Sequence, residues 1–223
     1  VSEPISIQAA FAHAHERFSI LLDDEAFWNE RGAFLAEKER QESEERAAAA
    51  DALQIRRFSE IPEVYRTEFT PSLSTMSKDT IRHCREWDPR SKRGIGLLGA
   101  TGMGKTRLLC AVLRRQQCSW LYLPASKLSL AVSDQWQEGG VGARAFSTLR
   151  EAKRVRVLLL DDLGDEKHTE AITAELKDLV EHRTSRGLPI LWTSNLSPEQ
   201  ITAKHGERGA AIVRRLAEFT WTP

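Results

Sequence analysis

The stretch Gly99-Ala100-Thr101-Gly102-Met103-Gly104-Lys105-Thr106 constrains this chain more than any other, because it fits G-x-x-x-x-G-K-[ST] at every fixed position. The apolar run Ile95-Gly-Leu-Leu98 leads into it, and Arg107-Leu-Leu-Cys-Ala-Val-Leu follows with helical spacing. Strand, glycine turn and helix form the context in which this pattern is a phosphate-binding loop. Gly99, Gly102 and Gly104 let the backbone turn tightly and aim its N–H groups at phosphate oxygens. The helix that opens at Lys105 adds the positive end of its dipole. Lys105 is placed to reach the β- and γ-phosphates of ATP, and the Thr106 hydroxyl to join the shell of a Mg2+ ion. Thr101, Met103 and Arg107 complete the expected nucleotide-contacting stretch.

The bulk numbers narrow what can surround that loop. At 223 residues the chain fits one ordinary domain with an appendage. Hydrophobic residues make up 41% and charged residues 29%, enough for a packed core under a highly charged surface. A formal net charge of +0 argues against a broad polyanion-binding face, so any nucleic-acid contact must come from local patches. Cys84, Cys110 and Cys118 form no C-x-x-C pair, which points away from zinc and disulfides and toward a reduced, cytoplasmic setting. No apolar run approaches the ~18–20 residues of a membrane span.

The first part of the chain reads as helical. Ile7, Phe11, Ala14, Phe18 and Leu21 fall on one face, and Asp23 or Asp24 can cap a second helix carrying Phe27, Trp28, Phe34 and Leu35. Glu37 to Arg46 is almost wholly charged. Two readings stand: a solvated helical hairpin, or helices whose Phe11, Phe18, Phe27 and Trp28 dock on a partner protein. His13 and His15, two apart, do not face one site. Ile61-Pro62 ends the region, and Tyr65 and Phe69 beyond it are candidates to cover a nucleotide base. The expected division is a partner-binding region over 1–57, a linker and entry segment over 58–92, and the nucleotide-binding core over 93–223.

Within the core, strands and helices alternate. Strands are expected at Ser119–Leu123, Val155–Leu160, Ile190–Thr193 and Glu218–Trp221. Helices are expected at Lys78–Trp87, Ser126–Gln137, Ala143–Lys153, Thr169–Arg186 and Glu207–Leu216. Near-continuous apolar strands between helices predict an α/β fold with a parallel sheet flanked by helices. Asp161 and Asp162 end the most apolar strand, at the sheet edge where ligands bind in such folds. Asp161 can hold Mg2+ opposite Thr106, and Asp162 can act as general base toward the attacking water. Asn195 ends the strand Ile190-Leu-Trp-Thr-Ser and can hydrogen-bond that water or the γ-phosphate.

Gly99–Thr106, Leu158-Leu-Leu-Asp-Asp-Leu-Gly164, Thr193-Ser-Asn-Leu196 and Gly206-Glu-Arg208 followed by Arg214-Arg215-Leu216 together resemble the AAA+ ATPases of the DnaC/IstB group. These are bacterial and phage helicase loaders and transposition helpers, and the likeness runs from about Ile61 onward. It implies a P-loop AAA+ core that hydrolyses ATP with Mg2+, with Asn195 as the sensor residue. It also implies an arginine acting on a neighbouring subunit's nucleotide in a homo-oligomer. Arg208 matches the group's Gly-Glu-Arg, although its spacing to Arg215-Leu216 is longer than usual, which keeps Arg214 and Arg215 in reserve. The group inserts DNA-contacting helices after its second strand. Here that segment holds Lys127, Trp136, Arg144, Arg150, Lys153 and Arg154, which suits single-stranded DNA. The function implied is an ATP-dependent loader or remodeller of a replicative helicase. The alternatives are a transposition helper ATPase and a nucleotide-gated adaptor with negligible hydrolysis.

Overall fold

Five short parallel strands carry the architecture, and the alternation of their side chains decides which helices lie on which face. In the computed structural model, which describes residues 28–29, 31–44, 60–67 and 75–223, the chain divides into two compact units, Val1–Ile55 and Arg56–Pro223. In the first unit residues 31–44 are helical, and Trp28, Phe34 and Leu35 are exposed. Phe11, His13, His15, Phe18, Phe27 and Phe69 fall outside the described residues.

The second unit runs through a single 3-10 turn, Glu63–Tyr65, then α1 (Lys78–Glu86), β1 (Gly94–Leu98), α2 (Lys105–Arg114) and β2 (Trp120–Pro124). It continues with α3 (Ala125–Asp134), α4 (Gly140–Arg154), β3 (Val157–Asp161), α5 (Glu170–Ser185), β4 (Ile190–Ser194), α6 (Pro198–Phe219) and β5 (Thr220–Trp221). The strands lie in the order β2-β3-β4-β1-β5, and every pairing is parallel. Leu158 and Leu160 of β3 face a core shared with α3, α4, α5 and α6. Val157 and Leu159 face a second core built with α1 and α2. The period of two along β3 therefore buries both faces, as its unbroken apolar run requires.

Several boundaries differ from the sequence expectation. The α3 helix starts at Ala125, with Pro124 at its N-cap and no side-chain cap, so Ser126 lies inside the first turn rather than capping it. The α4 helix begins at Gly140, three residues before the expected Ala143, since only Gly139 takes a positive φ and the following glycines wind into the first turn. The largest difference is α6. Pro198 to His205 is helical, ahead of the expected start at Glu207. Ser197 and Gln200 form a reciprocal capping box with proline at the first helical position, a helix-start signal. Gly206, at φ 60° and ψ −145°, then kinks the element, and the expected helix is its second half.

The far end of the sheet from the strand tips is fastened by one buried cation. Arg183 of α5 is fully buried and donates to the carbonyls of Ala152 (2.7 Å), Val155 (3.0 Å), Arg156 (3.1 Å) and Pro189 (2.8 Å). It thereby joins the end of α4, the entry to β3 and the entry to β4. Lysine offers three donors from one point and cannot span four carbonyls. Arg183→Lys is therefore expected to destabilise the protein by about 2 kcal/mol or more through unsatisfied buried carbonyls. Urea unfolding tests this, and a loss under about 0.5 kcal/mol would show the carbonyls need no such clamp.

Candidate functional site: a nucleotide cleft at the strand tips

The loop 99–104 crosses from the tip of β1 to the start of α2. Gly102 and Gly104 hold φ of 87° and 90°, where a side chain would be strained, and Gly104 occupies the N-cap position of α2. Lys105, the first residue of that helix, is buried, and its ammonium donates to Gly99 O (2.7 Å), Ala100 O (2.9 Å) and Asn195 Oδ1 (2.8 Å). Burial lowers its pKa, while Asp162 and Asp161 pull the other way. One cation thus joins the glycine turn to the tip of β4.

Asp161 is the buried acid. Its Oδ1 accepts from Thr106 Oγ1 (2.8 Å) and Thr193 Oγ1 (2.7 Å), and its Oδ2 accepts from Tyr122 Oη (2.8 Å). Burial and the Asp161 charge push the Tyr122 hydroxyl far up, so it stays a donor. Asp162 has φ of 53°, the single non-glycine residue with positive φ among those described. That turn sends its side chain into the cleft while its N–H bonds Thr193 Oγ1 (2.8 Å). Burial first, then repulsion from Asp161, raises the Asp162 pKa against the pull of Lys105. Asn195 Nδ2 lies 3.5 Å from Asp162 Oδ1.

A cleft of about 290 Å³ is lined by Tyr65, Thr101, Gly102, Gly104, Lys105, Thr106, Arg107, Asp162 and Asn195. Most of the expected nucleotide residues therefore meet in one place. Gly99 sits at its base beside the Met103 thioether, where a Cβ would come within 2.8 Å of Sδ. Tyr65 reaches the cleft under the Arg107 guanidinium, 5.9 Å from its ring centre. The chemistry of the donors fits the implied metal: a hydroxyl and a carboxylate oxygen, hard ligands beside a phosphate cradle, suit Mg2+. Among the described residues no group of three or more His, Cys, Asp or Glu side chains is arranged to hold a metal ion. One carboxylate with phosphate oxygens and water is the way Mg2+ is ordinarily held.

Arg208 is not in the cleft. It stands beyond the Gly206 kink, half-exposed, with its guanidinium 3.4 Å from Glu170 O and 3.7 Å from the Glu170 carboxylate. Arg215 pairs weakly with Glu218 and lies over Phe219, and Arg214 is exposed. The basic set after β2 is split as well. Arg150 and Arg154 line a groove of about 560 Å³ with Ser119, Phe146 and Ser147, at the end of β2 and β3 opposite the nucleotide cleft. Lys153 is instead bound to Glu175 (2.7 Å) and Asp178 (2.6 Å). Trp136 projects into solvent outside the groove, and the aromatic that lines it is Phe146, with Arg150 stacked 5.6 Å from its ring centre. Phe146 escaped the sequence reading because it sits on an ordinary amphipathic helix.

A phosphate loop, a strand-end acid pair and a polar strand tip on one parallel sheet in this strand order define a P-loop ATP-binding protein of the AAA+ type. The sequence matches the family described as IstB-like ATP binding protein over residues 9–218, and the chain belongs to that family. It is 28% identical over 162 residues to the replicative helicase loader DnaI of Bacillus subtilis (strain 168), an alignment covering 66% of this chain and 50% of that protein. The match thus spans about half the length of the curated relative. Among solved structures, DnaI superposes with a TM-score of 0.58 at 22% identity, covering 73% of this chain and 93% of that one. The DnaC helicase loader gives 0.52 at 23% identity, covering 64% and 84%. At these identities the two structures establish a shared fold. Among the described residues no helix is long and apolar enough to cross a membrane.

Behind Asp162 lies a group the sequence reading passed over. Glu166, buried, has its carboxylate on the Gly164 N–H (2.7 Å) and on His205 Nε2 (2.7 Å). Burial raises the Glu166 pKa, but the His205 bond, the backbone amides and Lys204 outweigh it and leave the carboxyl below its usual range. A carboxylate with a lowered folded-state pKa adds stability that is present above its unfolded value, near ~4.3. That stability is lost as pH falls through the lower folded value. Unfolding free energy is therefore expected to drop with acid more steeply for the wild type than for Glu166→Gln. Denaturant melts between about pH 3 and 6 compare them, and parallel pH curves would remove Glu166 from the balance.

Proposed function

We propose that this protein hydrolyses ATP with Mg2+ and uses the cycle to load or remodel a replicative helicase on DNA. The observation that carries the proposal is the convergence of Lys105, Thr106, Asp161, Asp162 and Asn195 at one sheet edge. Gly102, Gly104 and Lys105 grip the phosphates, while Thr101, Thr106 and Arg107 line the remainder of the cleft. Tyr65 covers the base. Thr106 and Asp161 hold Mg2+, which when bound neutralises charge on the phosphate oxygens. Asp162 takes the proton of the attacking water, and its raised pKa suits that task. Asn195, held by Lys105, orients the water and the γ-phosphate.

Arg208 faces outward because its target is a neighbouring subunit's nucleotide, where an arginine can contribute 10³–10⁵ in rate. Assembly into a homo-oligomer then makes turnover weak for the isolated chain. Single-stranded DNA runs along the groove of Arg150, Arg154 and Phe146, with phosphates on the guanidiniums and a base on the ring. The region 1–57 binds the partner helicase through apolar side chains such as Trp28, Phe34 and Leu35, the segment 58–92 leads into the core, and 93–223 is the ATPase. The setting is the bacterial or phage-infected cytoplasm. Support from relatives comes from the curated helicase loader and the two loader structures.

A second reading, a transposition helper acting on duplex DNA, draws on the IstB-like family match. Turnover stimulated by single-stranded DNA supports the loader, and stimulation confined to duplex DNA supports the helper. Asp162→Asn is expected to leave nucleotide affinity within about threefold while lowering kcat at least ~100-fold, in the range general base catalysis supplies. Unchanged turnover in that variant would remove Asp162 from the reaction. Substituting Arg150 and Arg154 by Ala together is expected to abolish the stimulation by single-stranded DNA, and a fully stimulated double variant would move the DNA path elsewhere.

A further inference from the structure

The ATPase reading leaves one buried titratable cluster without a task. Glu166, on the loop that carries Asp162, meets Lys204 and His205 of α6, the element that carries Arg208, and His205 in turn meets Thr173 of α5. Starting from Asp162, its carbonyl accepts from Asp165 N (2.9 Å), closing a tight turn. Within that turn the Gly164 N–H goes to Glu166 Oε2. The other carboxylate oxygen takes His205 Nε2–H, and His205 Nδ1 meets the Thr173 hydroxyl at 2.9 Å. Lys204 Nζ donates to the carbonyls of Gly164 and Glu166 (2.7 Å for the latter). His168 packs its ring edge-on against His205, with centroids 5.6 Å apart.

On the other side of the cluster, His205 is followed at once by the Gly206 kink, and Arg208 comes two residues later. Arg208 rests on Glu170, in the same first turn of α5 as Thr173. The buried Glu166–His205 hydrogen bond contributes only modestly to net stability. What it does supply is direction, since each partner fixes the other's position in a low-dielectric interior. The Asp162 turn and the Arg208 segment are thereby held to the same few atoms.

We propose that Glu166, His205 and Lys204 are positioning residues that couple a subunit's own Asp162 to the Arg208 it offers its neighbour. This rests on the ATPase reading with Arg208 acting in trans. A movement of Arg208 toward a neighbour's phosphate pulls on residues 204–205 across the Gly206 kink. The pull reaches Gly164 and Glu166, and with them the turn that aims Asp162. Hydrolysis in adjacent subunits becomes sequential rather than independent.

The test uses the full chain assembled on single-stranded DNA, with ATP turnover and binding of a fluorescent ATP analogue as readouts. Lys204→Met and Glu166→Gln are expected to keep analogue affinity and KM within about threefold. Their kcat should fall roughly tenfold or more, since misplacement by about 1 Å can cost 10²-fold. Glu166→Ala, which removes both acceptors, should fall below Glu166→Gln. A role confined to folding would lower binding and turnover together.

Mixed assemblies examine the neighbour-directed half. Lys105→Ala subunits, dead at their own site but with Arg208 intact, should restore turnover to Arg208→Ala subunits. The same donors carrying Lys204→Met as well should restore about a tenth of that or less. Donors that restore turnover in full despite Lys204→Met, or a kcat within twofold of wild type in both single variants, would overturn the coupling. If Arg208→Ala alone turns over like the wild type, the trans-acting arginine is what fails, and the coupling falls with it.

Discussion

The Asp161 carboxylate is the point on which the rest of the structure depends. Three hydroxyls converge on it, from Thr106 at the start of α2, Tyr122 in β2 and Thr193 in β4. Each comes from a different element, so the acid acts as a polar rivet through an otherwise apolar sheet. A buried carboxylate is costly unless its acceptor sites are used, and here the cost is offset by donors that also fix the register of β3 against its neighbours. The chain turns sharply directly after Asp161. The left-handed conformation of Asp162 delivers the second acid to the cleft rather than to the core.

Reading the sequence located the sheet and the nucleotide cleft because both rest on strong local signals. The glycine loop, the unbroken Val157–Asp161 run and the polar end of Ile190–Asn195 each specify their structure within a few residues. Where the reading fell short, the deciding information was non-local or competed with a simpler signal. The capping box of Ser197 and Gln200, with proline at the first helical position, starts the helix nine residues before the expected Glu207. Tyr122 lies in the expected second strand, and its bond to Asp161 depends on strand pairing. Glu166 belongs to no motif, and its burial against His205 comes from α6 packing on α5. Lys153 looked suited to a basic surface, but it is taken by two acids of α5.

The two ends of the sheet have been given different chemistry. At the strand tips, the glycine turn, one ammonium and two carboxylates gather around the cleft. At the strand entries, Arg183 and Arg156 spend their donors on main-chain carbonyls, Arg156 on Pro89 (2.9 Å) and Gly187 (3.2 Å). The groove of Arg150 and Arg154 sits at that end. A neutral total charge is compatible with such a local basic surface because acids such as Glu175 and Asp178 balance the cations elsewhere.

The strand order carries a consequence for synthesis. β1 and the glycine loop leave the ribosome early, but the neighbour that pairs with Ile95 to Leu98 is β4, about 95 residues later, and it must slide between β1 and β3. Until Ile190–Ser194 arrives, the edges of both earlier strands stand open, and such long-range parallel pairings form slowly. A nascent chain therefore carries a phosphate loop well before it has a sheet to hold it, and that interval is when chaperones have most to shield.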